Sequence, residues 1–409
     1  MWADLRRDAD PAVRSQLIHR LAGGVSIQDV IRRIGKTTDA GERAALVLCL
    51  GGFGEDAITP ASRKSITALL IGLYRNDPDP EVHSAVDWLL RHSNEGPGRP
   101  RVNWDQRTAL EEIDREAAQN STQAKGWSLN FAGLTMIAMH GPASFQMGAN
   151  PNEPRRTAAE VPHNVRIPRV FAISSKEVTT AQFQAYLEDR NQKSQWREAV
   201  LKRFPVNPDG FWPEPERPQV AVTWYEAAAY CNWLSLKAGI PHDQWVYSDE
   251  IGPEMWMPAD YLHRTGYRLP TEAEWEFSAR AGTSRAHFFE DGVALLDQYV
   301  WYMANSQAHS WPVGMLKPNQ LGLFDVYGNA WEWLQDRRID YPGDLGKVTL
   351  DDEDTALVVT NTVLRKSAVF IYNVPPTLSA SSGYSLIATS HATSRLAPYG
   401  WPLIGRAVS

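Results

Sequence analysis

The chain has 409 residues and a net charge of −7, with 43% hydrophobic and 22% charged residues, the composition of a folded protein long enough for two domains. That acidic balance gives no global electrostatic case for nucleic acid, and no apolar run approaches the roughly 20 residues a membrane span needs. The opening Met-Trp-Ala-Asp-Leu-Arg-Arg-Asp holds acidic residues where a secretory signal needs a basic end, so a cytoplasmic location is expected.

Residues 1–95 read as helices. Asp10-Pro11-Ala12-Val13-Arg14 opens a segment with Val13, Leu17, Ile18 and Leu21 at helical spacing. Asp77-Pro78-Asp79-Pro80-Glu81-Val82 repeats the signal before Val86, Leu89 and Leu90, and Asp39-Ala40-Gly41-Glu42-Arg43 leads into Leu46, Leu48 and Leu50. A carboxylate caps free N–H groups and Pro loses nothing in the first turn. The recurrence resembles HEAT-type repeats; an unrelated small helical bundle is the alternative. Residues 96–126 read as a linker and a short charged helix, the breakers Gly96, Pro97, Gly98 and Pro100 marking its start.

From 127 to 409 the strands look short and the loops long. Met136-Ile137-Ala138-Met139 and Phe145-Gln146-Met147-Gly148 read as a hairpin around His140-Gly141-Pro142, and Val165–Ile167 and Val170–Ile173 alternate as strands do. Three helix starts carry a capping box: Thr179 with Gln182, Thr223 with Glu226, and Thr271 with Glu274. With 16 Trp, 14 Tyr and 12 Phe, the composition suits irregular aromatic packing. The expected class is α+β, preceded by an all-α region.

Five segments then stand in order: Phe145-Gln146-Met147-Gly148; Lys176-Glu177-Val178-Thr179-Thr180-Ala181-Gln182-Phe183; Pro218-Gln219-Val220-Ala221-Val222-Thr223-Trp224; Gly266-Tyr267-Arg268-Leu269-Pro270-Thr271-Glu272-Ala273-Glu274-Trp275-Glu276; and Gly322-Leu323-Phe324-Asp325-Val326-Tyr327-Gly328-Asn329-Ala330-Trp331-Glu332-Trp333. Together they resemble the sulfatase-modifying-factor (formylglycine-generating enzyme) family. That resemblance implies a variant of the C-type lectin-like fold. Arg268, Glu272, Glu274 and Glu276 read as scaffold ion pairs with partners such as Arg280, in preference to an acid/base cluster.

The stretch from Asp325 to Glu332 can offer several hard oxygens to one cation, and calcium accepts carboxylates and carbonyls alike. The resemblance implies structural calcium held by the side chains of Asp325 and Glu332 and the carbonyls of Gly328 and Ala330. The alternative is a buried Trp331/Trp333 strand whose polar residues cap a turn. A second calcium site of the family matches at Asn305-Ser306, but its acidic return loop looks shortened.

The family's oxidation of a substrate cysteine uses copper held by two enzyme cysteines downstream of the Trp-Glu-Trp motif. Soft thiolates hold such an ion. Here the two cysteines are Cys49 and Cys231, and none follows Cys231. Both read as packed core thiols in different domains, and a reducing compartment fits. The histidines are scattered; His83 and His92 lack the spacing of an iron site. No copper or iron site is expected, nor formylglycine-generating activity.

From about residue 365 the match fails: Val363-Leu364-Arg365 continues as Lys366-Ser367-Ala368-Val369-Phe370, residues 379–394 are rich in Ser, Ala and Thr, and Tyr399-Gly400-Trp401-Pro402 only echoes the family's close. A local reading-frame error is one hypothesis; an intact frame giving these residues in close relatives refutes it. Two readings follow. One is a non-catalytic binding or scaffolding module in bacterial signalling, its protein or small-ligand partner unnamed. The other is a metal-dependent oxidoreductase with altered chemistry, or a segment of a serine/threonine-kinase-linked protein, although no kinase motif is present.

Overall fold

The computed structural model describes residues 2–119, 125–151, 153, 160–189, 214–220, 222–252, 255–289, 294–307, 309–337, 348–351, 364–367 and 405–406. The Ser/Ala/Thr-rich stretch 379–394 and the Tyr-Gly-Trp-Pro segment 399–402 lie outside them.

The helical region comprises α1 (Pro11–Leu21), α2 (Ile27–Ile34), α3 (Ala40–Leu50), α4 (Pro60–Asn76), α5 (Pro80–Leu90) and α6 (Arg107–Gln119). The acidic caps act as the sequence requires. Asp10 accepts from the Ala12 amide at 2.8 Å, Asp39 from Glu42 at 2.7 Å and Asp79 from Glu81 at 2.9 Å. The buried face of α1 differs from the expected one, since Val13 points outward while Arg14 is buried. Arg14 is satisfied there by the carbonyls of Leu5 (2.8 Å) and Gly41 (2.5 Å) and by the Glu81 carboxylate at 2.6 Å. Partners from three elements thus make a charge acceptable in a core.

Helix α5 is buried all round, from Glu81 to Leu90. A helix without a solvent face must be covered on both sides. On one side lie α3, α4 and α6; on the other lies the α+β region.

That region contains β1 (Trp127–Leu129), β2 (Thr135–Met139), β3 (Ala143–Met147), β4 (His163–Ile167), β5 (Phe171–Ser174), α7 (Thr180–Glu188), α8 (Trp224–Lys237), α9 (Glu272–Arg280), β6 (Trp331–Arg337), β7 (Val348–Leu350), β8 (Leu364–Ser367) and β9 (Gly405–Arg406). The strands form three small sheets ordered β1-β2-β5, β3-β4-β7 and β8-β6-β9. This is an α+β architecture.

The hairpin expected from β2 and β3 does not form. β2 pairs with β1 and β5, while β3 pairs with β4. The turn between them presses on another part of the chain, because a Cβ on Gly141 would stand 2.0 Å from the Arg169 carbonyl oxygen. That close approach takes the chain across to a second sheet, and only glycine permits it.

All three capping boxes are made reciprocally, at Thr179, Thr223 and Thr271. Helices α7 and α8 share a core of Phe183, Tyr186, Tyr230, Trp233 and Cys231, and a second core gathers Trp275, Phe288, Phe289, Tyr299 and Tyr327.

The two regions meet along a continuous seam. Phe324 joins the helical core. Ser84 donates to the Gly322 carbonyl at 2.8 Å, Trp127 Nε1 to Asp77 O at 2.9 Å, and the Gly126 amide to Pro78 O at 2.9 Å. Lys176 pairs with the buried Asp87. The breaker-rich segment 93–101 packs into this seam, where Arg99 donates to the carbonyls of Ser93, Trp88, His92 and Met315. Among the described residues no helix is long and apolar enough to cross a membrane.

Candidate functional site

The loop from Gly322 to β6 is bent by a run of left-handed residues: Gly322, Asp325 (φ 53°), Gly328 (φ 121°) and Asn329 (φ 60°). Gly328 bridges to Trp301, and a Cβ there would stand 2.0 Å from the Trp301 carbonyl oxygen. Between these turns Phe324 enters the helical core, while Leu323, Val326 and Tyr327 enter the core of the α+β region. The loop is therefore clamped from both sides.

Its polar side chains hold other loops in place. Asp325 is buried and its Oδ2 accepts the Gly314 amide at 2.7 Å. Asn329 accepts the Trp311 amide at 2.8 Å and donates to Glu177 Oε2 at 2.8 Å and to the Trp311 carbonyl at 3.2 Å. Trp311 in turn stacks on Trp301, with centroids 4.9 Å apart. In β6 Glu332, Leu334 and Gln335 are buried, whereas Trp331 and Trp333 are only half-buried, unlike the buried tryptophan strand that stood as the alternative to a calcium site. Trp333 instead carries a bond across the domain, its Nε1 donating to Val222 O, and Trp224 Nε1 of α8 donates to Leu334 O, both at 2.9 Å.

Four positions suggested themselves for calcium: Asp325, Gly328, Ala330 and Glu332. Asp325 and Glu332 are both buried carboxylates on this clamped loop. Their oxygens are hard donors, which fits calcium and not a soft ion. Among the described residues no group of three or more His, Cys, Asp or Glu side chains could hold a metal ion. Calcium here would therefore draw on backbone carbonyls as well as the two acids. Asn305 serves its own turn, donating to Asp297 Oδ1 at 3.1 Å and Val300 O at 2.8 Å.

Both thiols are buried, in separate cores. Burial pushes the Cys49 thiol up to about 12, and it donates to Ile18 O at 3.4 Å. Burial also pushes Cys231 well above the ordinary thiol range. A raised pKa favours the protonated thiol, and both side chains fit as packed core residues.

The Gly-Tyr-Arg-Leu-Pro-Thr-Glu stretch is scaffold. Arg268 grips Glu274 at 2.6 and 2.7 Å, Arg169 Nε reaches Glu274 at 2.8 Å, and Arg280 pairs with Glu276 at 2.7 Å. Glu274 also accepts the Thr271 amide. Burial alone would raise its carboxyl, yet Arg268 and then Arg169 bring it down to about 2. Sequence reasoning missed Glu177, which anchors Asn329 from 152 residues away. Nothing local in Lys-Glu-Val-Thr signals that contact.

The family model for the sulfatase-modifying factor enzyme 1-like domain matches residues 132–365. Chaperone protein LppX of Paenibacillus barcinonensis is 32% identical over 185 residues, 39% of this chain and 64% of that protein. The formylglycine-generating enzyme of Mycobacterium tuberculosis is 27% identical over 238 residues, 49% of this chain and 73% of the enzyme. The inactive C-alpha-formylglycine-generating enzyme 2 of Bos taurus is 29% identical, over 36% of this chain and 45% of that protein. The chain thus spans about two thirds of LppX and less than half of the bovine relative. The motifs, the fold and the match over residues 132–365 together place the chain in the sulfatase-modifying factor enzyme 1-like family.

Proposed function

We propose that the chain is a non-catalytic member of its family, a binding or scaffolding module whose rigid core presents irregular loops to a partner protein or small ligand. The observation that carries this reading is the thiol inventory. A copper-dependent oxidation of cysteine needs a pair of accessible thiolates, and this chain has only Cys49 and Cys231, each buried in a different core. The family includes a relative whose name marks it as inactive, so loss of the chemistry with retention of the fold has a precedent.

The loop 325–332 keeps its buried carboxylates without that chemistry. In this reading Asp325 and Glu332 hold a structural calcium ion with the carbonyls of Gly328 and Ala330. It locks the left-handed turns that join β6 to the seam.

Metal analysis of the purified protein tests the proposal. The expected result is calcium alone, with a melting temperature that falls on chelation and an Asp325→Asn protein that no longer responds to calcium. Stoichiometric iron or copper, accompanied by oxygen consumption, overturns it in favour of an oxidoreductase.

A further inference from the structure

His92 lies just beyond α5 and is buried in the seam, 6% exposed. Its Nε2 is 3.1 Å from the Val313 carbonyl oxygen, so Nε2 carries a proton. Its Nδ1 is 3.3 Å from Arg107 Nη2. A guanidinium has donors only, so Nδ1 accepts. The two bonds together require one neutral tautomer. A second proton can go only to Nδ1, where it would face a guanidinium.

The surroundings offer no relief. From α5 comes Asp87, from its C-terminal end Arg91, from the segment 93–101 Arg99, from α6 Arg107, from the turn after β5 Lys176, and from the segment preceding α8 Glu216, paired with Arg107. The carboxylates are already engaged: Asp87 with Arg91 and Lys176, Glu216 with Arg107, and Asp114 with Arg91. Arg99 spends its donors on backbone carbonyls and brings no acid with it. Four cations therefore surround the ring, against acids that already hold at least one of them each.

We propose that His92 makes the seam between the helical region and the α+β domain acid-sensitive: a proton on Nδ1 turns the Arg107 contact into a meeting of two donors and loosens the docking of α5 on the loop 311–317. Burial first, then Lys176 and Arg99, hold the imidazole neutral to well below the ordinary histidine range. The folded-state value is thus depressed, and the docked state is favoured by neutral His92. That contribution is complete above about pH 6.5 and is lost as pH falls, by about tenfold in the docked-to-open ratio per pH unit, or about thirtyfold by pH 5.

Hydrogen exchange on the full chain between pH 8 and 5, corrected for intrinsic rates, tests the proposal. Peptides covering 84–107 and 311–317 report the seam, and α8 reports the rest of the fold. The expected result is a loss of seam protection of at least about thirtyfold by pH 5 while α8 stays protected. His92→Gln keeps an acceptor and a donor but cannot be charged, and is expected to retain at least about tenfold more seam protection at pH 5 than the parent protein. Should that variant fold poorly, Arg107→Gln, at a half-exposed position, removes the facing cation and is expected to move the loss to lower pH. His83, stacked between Tyr74 and Trp127 in the same seam, is present in all three proteins and cancels in the comparison. Seam protection that does not change with pH, falls equally in the His92→Gln protein, or falls only together with α8 overturns the proposal.

Discussion

At Lys317 an amine is buried 7% exposed between the rings of Trp88 (4.9 Å) and Tyr299 (5.9 Å), bonded to the Gln298 amide oxygen and, among the described residues, without a carboxylate partner. Burial, with Arg99 nearby, brings its pKa down to about 7, against an opposing pull from Cys49. The unfolded chain therefore binds a proton that the folded chain resists between about pH 7 and 10.4, and stability rises with pH across that window. Lys317→Met is expected to remove this slope. Thermal unfolding from pH 6 to 10 checks it, with the variant melting above the parent at pH 6 and the two converging near pH 10. Gly328 illustrates a different constraint. Its positive φ and the Trp301 carbonyl leave no room for a side chain, so Gly328→Ala is expected to cost about 2 kcal/mol or more in a denaturant titration.

Helix starts were legible because their chemistry is local. Thr179, Thr223 and Thr271 each sit three residues before the side chain that completes the box. Thr223→Ala is expected to cost about 1 kcal/mol, read as a shift in denaturant midpoint at constant slope. Glu274 combines cap and ion pair, so Glu274→Gln is expected to cost about 3–5 kcal/mol by leaving Arg268 and Arg169 short of charge in a buried site. Strand pairing was less legible. Short alternating runs identified β2 and β3 as strands, yet their partners depend on the contact of Gly141 with Arg169, which is not written in either run. A separation of 152 residues likewise hid Glu177 from the reading of the Asn329 turn, whereas Asp325 and Glu332 stood out as two carboxylates flanking a Gly-Asn turn and through the family resemblance.

The seam is the property of the whole molecule that the sequence concealed most completely. Residues 93–101 carry every mark of a tether, but Arg99 and His92 bind carbonyls more than 200 residues away and make the segment part of the packing. The central claim is that this scaffold, lacking a pair of reachable thiolates, does not oxidise cysteine. Its most direct test is to incubate the pure protein with copper(I), oxygen and a cysteine-bearing sulfatase peptide, and to follow the peptide mass. The account predicts unconverted peptide after many hours; repeated turnover to the formylglycine aldehyde by the pure protein would contradict it.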